Sequence, residues 1–80
     1  MTRPRRMSGK DVVKVFEQLG FCVHAQRGSH IKMRRVIGGG TQNITIPNHK
    51  EIDRGTLRAI IAQASRFVPE QELREYFVTE

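Results

Sequence analysis

Val12, Val15, Phe16 and Leu19 recur at steps of three and four, the spacing that lines one side of a helix. The pattern predicts a helix over about Gly9 to Leu19. Ser8 precedes it and Asp11 stands three residues later, a capping-box-like pair in which Asp replaces the usual Glu or Gln. Gly20, just past the last apolar position, ends it.

The period then changes to two. "FCVHAQ" and "HIKMRRV" read as strands joined across "RGS". A loop of Arg27, Gly28 and Ser29 pairs Ala25 with Ile31 and Val23 with Met33, which makes one face wholly apolar. A two-residue loop would mix apolar and polar residues on both faces, so the three-residue register is expected. His24, Gln26, His30, Lys32 and Arg34 then share the opposite, open face. "GGGT" reads as a flexible connection, and "QNITIP" as a third strand with Ile44 and Ile46 inward and Pro47 at its end.

Asp53 is placed to cap a second helix from Arg54, with Ile52 and Leu57 at the two positions of a hydrophobic staple. Its stripe of Leu57, Ile60, Ile61 and Ala64 packs it on the sheet beside the first helix. Gly55 in its first turn suggests a close helix-to-sheet contact, because glycine there costs roughly 1 kcal/mol relative to alanine. "VPEQELREYF" starts a third, short helix at Pro69, with Leu73, Tyr76 and Phe77 on one side.

The fold class is therefore α+β: a three-stranded antiparallel sheet with two helices on one face, in the order α-β-β-β-α, plus a short C-terminal helix at about 69–78. Residues 1–7, "MTRPRRM", read as a loose basic arm, and residues 8–80 as a single domain with its core in 8–64. A chain of 80 residues supports only one core.

Charge narrows the partners. Residues 1–58 hold 12 basic and 4 acidic side chains, whereas residues 59–80 hold 2 and 4. The positive field favours a polyphosphate or an acidic protein. The lone Cys22 has no disulfide partner, no stretch is long and apolar enough for a membrane span, and no apolar run follows the N-terminal arginines. From these features a cytoplasmic location is expected.

On the open face, an imidazole among cations is equipped for proton transfer near neutral pH. RNA carries its own nucleophile in the 2′-hydroxyl, so cleavage needs a general base or acid and positive charge at the phosphorus. The open face has no carboxylate to hold a hard cation, and Asp11 and Asp53 are employed as caps. His24, His30 and His49 lack a compact ligand spacing. No metal and no cofactor is expected.

"GSH" at 28–30, followed by "ITIPNHKEIDRGTLRAIIAQA" at 44–64, resembles the HicA toxins of bacterial and archaeal toxin-antitoxin pairs. The resemblance runs from about Ser8 to Ala64. It implies a double-stranded-RNA-binding-like fold and a ribosome-independent mRNA interferase with the histidine of the GSH element, here His30, as the catalytic residue. It also implies a HicB-family antitoxin as inhibitory partner.

The leading expectation is thus a metal-independent endoribonuclease with His30 as general base or acid. Arg27, Gly28, Ser29, Lys32 and Arg34 would contact the mRNA or shape the turn, and His24 and His49 are secondary acid/base candidates. Two alternatives stay open: a noncatalytic RNA-binding module of the same fold, and a protein-interaction domain whose basic face docks an acidic partner.

Overall fold

The computed structural model describes residues 3–4 and 6–79. In chain order the elements are β1 (Arg3–Pro4), α1 (Gly9–Gln18), β2 (Cys22–Arg27), β3 (His30–Ile37), β4 (Gly40–Pro47), α2 (Arg54–Ala64), α3 (Glu70–Phe77) and β5 (Val78–Thr79). Strands β2, β3 and β4 form one antiparallel sheet in that order, and β1 pairs with β5 in a separate two-stranded ladder.

The predicted caps form. The Asp11 N–H donates to Ser8 Oγ and the Ser8 N–H to Asp11 Oδ2, each at 3.0 Å, which closes the capping box. Asp53 Oδ2 accepts from the Thr56 N–H at 3.2 Å, and Ile52 and Leu57 are both buried, as a staple requires. Ile31, Met33, Ile44 and Ile46 from the sheet meet Val12, Val15 and Phe16 of α1 and Leu57, Ile60 and Ala64 of α2 in one cluster. α3 joins it through fully buried Leu73 and Phe77, whose ring lies 5.6 Å from that of Phe16.

Five expectations are corrected. The β2–β3 loop has two residues, Gly28 and Ser29, so Arg27 pairs directly with His30. Gly28 has φ 55° and Ser29 does not have positive φ, as a type II′ turn requires of its two central residues, and the twist of that turn suits an antiparallel hairpin. Val23 still faces Met33, because a bulge between Val23 and Ala25 absorbs the one-residue difference and moves Ala25 opposite Lys32 and Gln26 opposite Ile31. The premise of a continuous apolar face on β2 fails: every β2 residue is exposed, Val23 by 49 %.

The glycine run is also no flexible connection. β3 continues to Ile37 and β4 begins at Gly40, with Gly38 and Gly39 as a tight turn. Gly55 makes no close contact with the sheet, since an added Cβ would meet only Asp53 Oδ2, at 3.3 Å. The close approach lies at Gly9, where a Cβ would collide with the Pro47 carbonyl oxygen and sit 2.9 Å from Asn48 Cα.

Finally, the segment read as a loose arm is partly built into the fold. Arg3–Pro4 pairs with Val78–Thr79, and buried Met7 bridges Ile52, whose N–H donates to the Met7 carbonyl at 2.8 Å. Met7 supplies apolar area that closes the core beneath the staple, a contact no local pattern announces. Met1, Thr2 and Arg5 of the expected arm lie outside the described residues.

Candidate functional site

His30 opens β3 on the face opposite Ile31 and Met33 and is exposed. Lys32 and Arg34 follow on the same face at roughly 7 and 14 Å along the strand. Across β4 the same face carries Pro47 opposite His30, Thr45 opposite Lys32 and Asn43 opposite Arg34. Arg34 Nε donates to Asn43 Oδ1 at 3.3 Å, which holds its guanidinium along the sheet. Across β2, Arg27 flanks His30 and Ala25 flanks Lys32. Arg27, His30, Lys32 and Arg34 are thus brought to one surface, and among described residues none of the surface positions named here is acidic.

The turn before His30 is braced from two sides. Gln26 Nε2 donates to the Gly28 carbonyl at 3.2 Å, and the Asn48 N–H donates to the Ser29 carbonyl at 2.6 Å. The second bond joins Gly28–Ser29–His30 to Pro47–Asn48–His49–Lys50, through two residues 19 positions apart in sequence. Gly9 N–H donates to the His49 carbonyl at 2.9 Å, so the start of α1 fastens the same loop.

His30 lines a cleft of about 280 Å³ whose other walls are Thr45 and Pro47 of β4 and Thr56, Ala59, Ile60 and Gln63 of α2. The α2 residues recur at three- and four-residue steps, so one side of the helix faces the cleft. Gln63 Oε1 accepts the Thr45 N–H at 3.2 Å. That N–H lies on the edge of β4 that no strand covers among the described residues, and the glutamine supplies its acceptor.

The remaining candidates separate. His49 lines a different cleft, of about 380 Å³, with Ser8, Lys10, Asn48 and Lys50. His24 is the extra residue of the β2 bulge, exposed and outside both clefts. Among the described residues no three His, Cys, Asp or Glu side chains gather as a metal-holding group, and no helix is long and apolar enough to cross a membrane.

Periodicity missed the α2 wall entirely, because nothing local links residue 30 to residues 56–63. It also missed Arg35, which points to the helix side of the sheet. Arg35 donates to the Leu19 carbonyl at 2.9 Å, to the Phe67 carbonyl at 3.2 Å and to Gln42 Oε1 at 2.8 Å, and lies 4.8 Å from the Phe21 ring centroid. One guanidinium thereby ties the end of α1, β4 and the segment after α2 together. A fork of fixed donors suits that task better than an ammonium.

Two carboxyls are shifted. Asp11 is held below its ordinary value chiefly by the Ser8 backbone N–H, then by the Ser8 hydroxyl. Asp53 is held down first by the Thr56 hydroxyl, which donates to Oδ1 at 2.6 Å, then by the Thr56 N–H. Both serve helix starts.

Fold and surface together define a small α+β protein with an open, cationic, histidine-bearing sheet face. The chain belongs to the HicA toxins: the family described as "HicA toxin of bacterial toxin-antitoxin" matches residues 9–65, well over half of the 80. No curated protein and no solved structure matches it. Membership makes the chain a toxin of a toxin-antitoxin system, and an antitoxin is the kind of partner it implies.

Proposed function

We propose that this toxin is a metal-independent endoribonuclease, an mRNA interferase, with His30 as its catalytic residue. The observation that carries the reading is the position of His30: exposed and lining the cleft between β4 and α2, on the face that bears Arg27, Lys32 and Arg34. An RNA strand laid across this face meets its phosphates with three cations. The 2′-oxygen attacks the adjacent phosphorus, the bond from phosphorus to the 5′-oxygen breaks, and the products end in a 2′,3′-cyclic phosphate and a 5′-hydroxyl. His30 either takes the 2′ proton as base or delivers one to the leaving 5′-oxygen as acid. Lys32 and Arg34 offset the charge that builds on the phosphoryl oxygens. In this reading a HicB-family antitoxin binds the same face, so the free toxin cuts and the complex does not.

The test is cleavage of RNA in the presence of chelator. Wild type cuts, and His30→Ala, an exposed substitution that leaves the core intact, loses about 10²–10⁴-fold in rate, the range of general acid–base catalysis. A folded His30→Ala that cuts at the wild-type rate removes the assignment and leaves a noncatalytic RNA-binding surface.

A further inference from the structure

We propose that the cleft beside His30 is a nucleobase pocket that selects a keto base, uracil or guanine, through the side-chain amide of Gln63. The inference rests on the RNA-cleaving reading and adds to it the substrate feature recognised at that site. Pro47, Ala59 and Ile60 supply apolar walls, and Thr45, Thr56 and Gln63 supply the polar groups. A cleft of about 280 Å³ lies just below the range of drug-sized ligand sites, which leaves room for a group no larger than a single base. Its lining includes His30, so in this reading its occupant belongs to a nucleotide at the scissile phosphate.

The polar groups are not free to read any base. Gln63 Oε1 faces a backbone N–H, which fixes the amide orientation: the NH₂ group cannot face that donor. Nε2, with its two donors, is therefore the end of this cleft-lining amide left for a bound base, while the carbonyl is turned to β4. A glutamine reads adenine by using both ends at once, donating from its NH₂ and accepting from the base's amino group. That pairing is compromised here. The Thr56 hydroxyl also spends its proton on Asp53 Oδ1, and Thr45 adds a rotatable hydroxyl. At C4 of a pyrimidine or C6 of a purine, the carbonyl oxygen of uracil or guanine accepts from Gln63, whereas the amino group that cytosine or adenine carries at the same position meets donor against donor.

Gln63→Glu is the informative variant. A carboxylate still accepts the Thr45 N–H, so the β4 edge stays capped, but the donors become acceptors. Wild type and variant are incubated with RNA of randomised sequence in chelator, and the ends are mapped. For wild type, uracil or guanine dominates one position flanking the cut, and matched substrates with a single U or a single G in an A/C background tell the two apart. In Gln63→Glu the ratio of keto to amino bases at that position falls at least about tenfold. The added charge lowers all rates alike and leaves a ratio unmoved.

Gln63→Met, which removes the donors without adding charge, flattens the preference. An unchanged base distribution in either variant overturns the proposal while His30-dependent cutting stands. If wild type cuts nothing, binding of short oligo-U and oligo-C decides: preference for U that Gln63→Glu reverses supports the pocket, and equal binding overturns it.

Discussion

The Asn48 N–H donates to the Ser29 carbonyl at 2.6 Å, one residue before the catalytic candidate His30. The position of His30 therefore depends on a loop that is itself fastened to α1 through Gly9. A side chain at residue 9 would collide with the Pro47 carbonyl and push this loop away. Gly9→Ala is expected to destabilise the protein by at least about 1–3 kcal/mol, the cost of overpacking. In a thermal melt the midpoint falls by roughly 4–8 °C per kcal/mol for a chain of this size.

Arg35 holds three elements with one guanidinium. Arg35→Ala leaves the Leu19 and Phe67 carbonyls without this donor and removes the cation over Phe21. A loss of about 2–4 kcal/mol in urea unfolding is expected. Arg35→Lys recovers only part of it, because an ammonium cannot reproduce the fork. Cleavage by the folded fraction stays close to wild type, since Arg35 lies on the helix side of the sheet.

Salt dependence separates substrate contact from structure. Lys32 is exposed opposite Thr45, two residues from His30. Lys32→Ala is expected to weaken RNA binding uniformly across sequences and to reduce the slope of log affinity against log salt by about 1. An unchanged slope would remove Lys32 from the phosphate contacts.

The three histidines differ in their surroundings. His30 shares a cleft with α2, His49 lies in another with Lys10 and Lys50, and His24 sits in the bulge. Single-turnover cleavage by His24→Ala and His49→Ala should stay within about tenfold of wild type, below the usual contribution of a general acid or base. A larger loss in His49→Ala would make it the second proton carrier.

Acid stability follows from the two capping carboxyls. Both have folded-state values below the ordinary 3.8, so each contributes stability that is complete above that value. It is lost as pH falls below about 4 through the lowered folded values. Asp53→Asn keeps a capping acceptor for the Thr56 N–H without a titrating group. Its unfolding midpoint, followed by circular dichroism, should fall less steeply than that of wild type between about pH 4 and 2, below the ordinary carboxyl value.

Much of this was legible along the chain because its cause is local. Alternation alone puts Ile31 and Met33 inward and His30, Lys32 and Arg34 outward, since successive strand residues point to opposite faces. Ser8–Asp11 and Ile52–Asp53–Leu57 announce two helix starts by chemistry that spans only a few residues. The hairpin register was not legible in the same way. Maximising an apolar face favoured a three-residue loop, but turn twist favoured Gly28–Ser29, and a bulge at His24 reconciled the two.

What the tertiary structure alone decided is which distant groups surround the histidine. The sequence determines that residue 30 is a histidine after a Gly-Ser turn with cations at two-residue steps. It says nothing of Thr45 and Gln63 meeting across the β4 edge, of Asn48 holding Ser29, or of Arg35 reaching Leu19 and Phe67. Those contacts exist because core burial sets α2 beside β4 and α1 against the loop after it. Their cause is the packing of residues far apart in the chain, which no local period encodes.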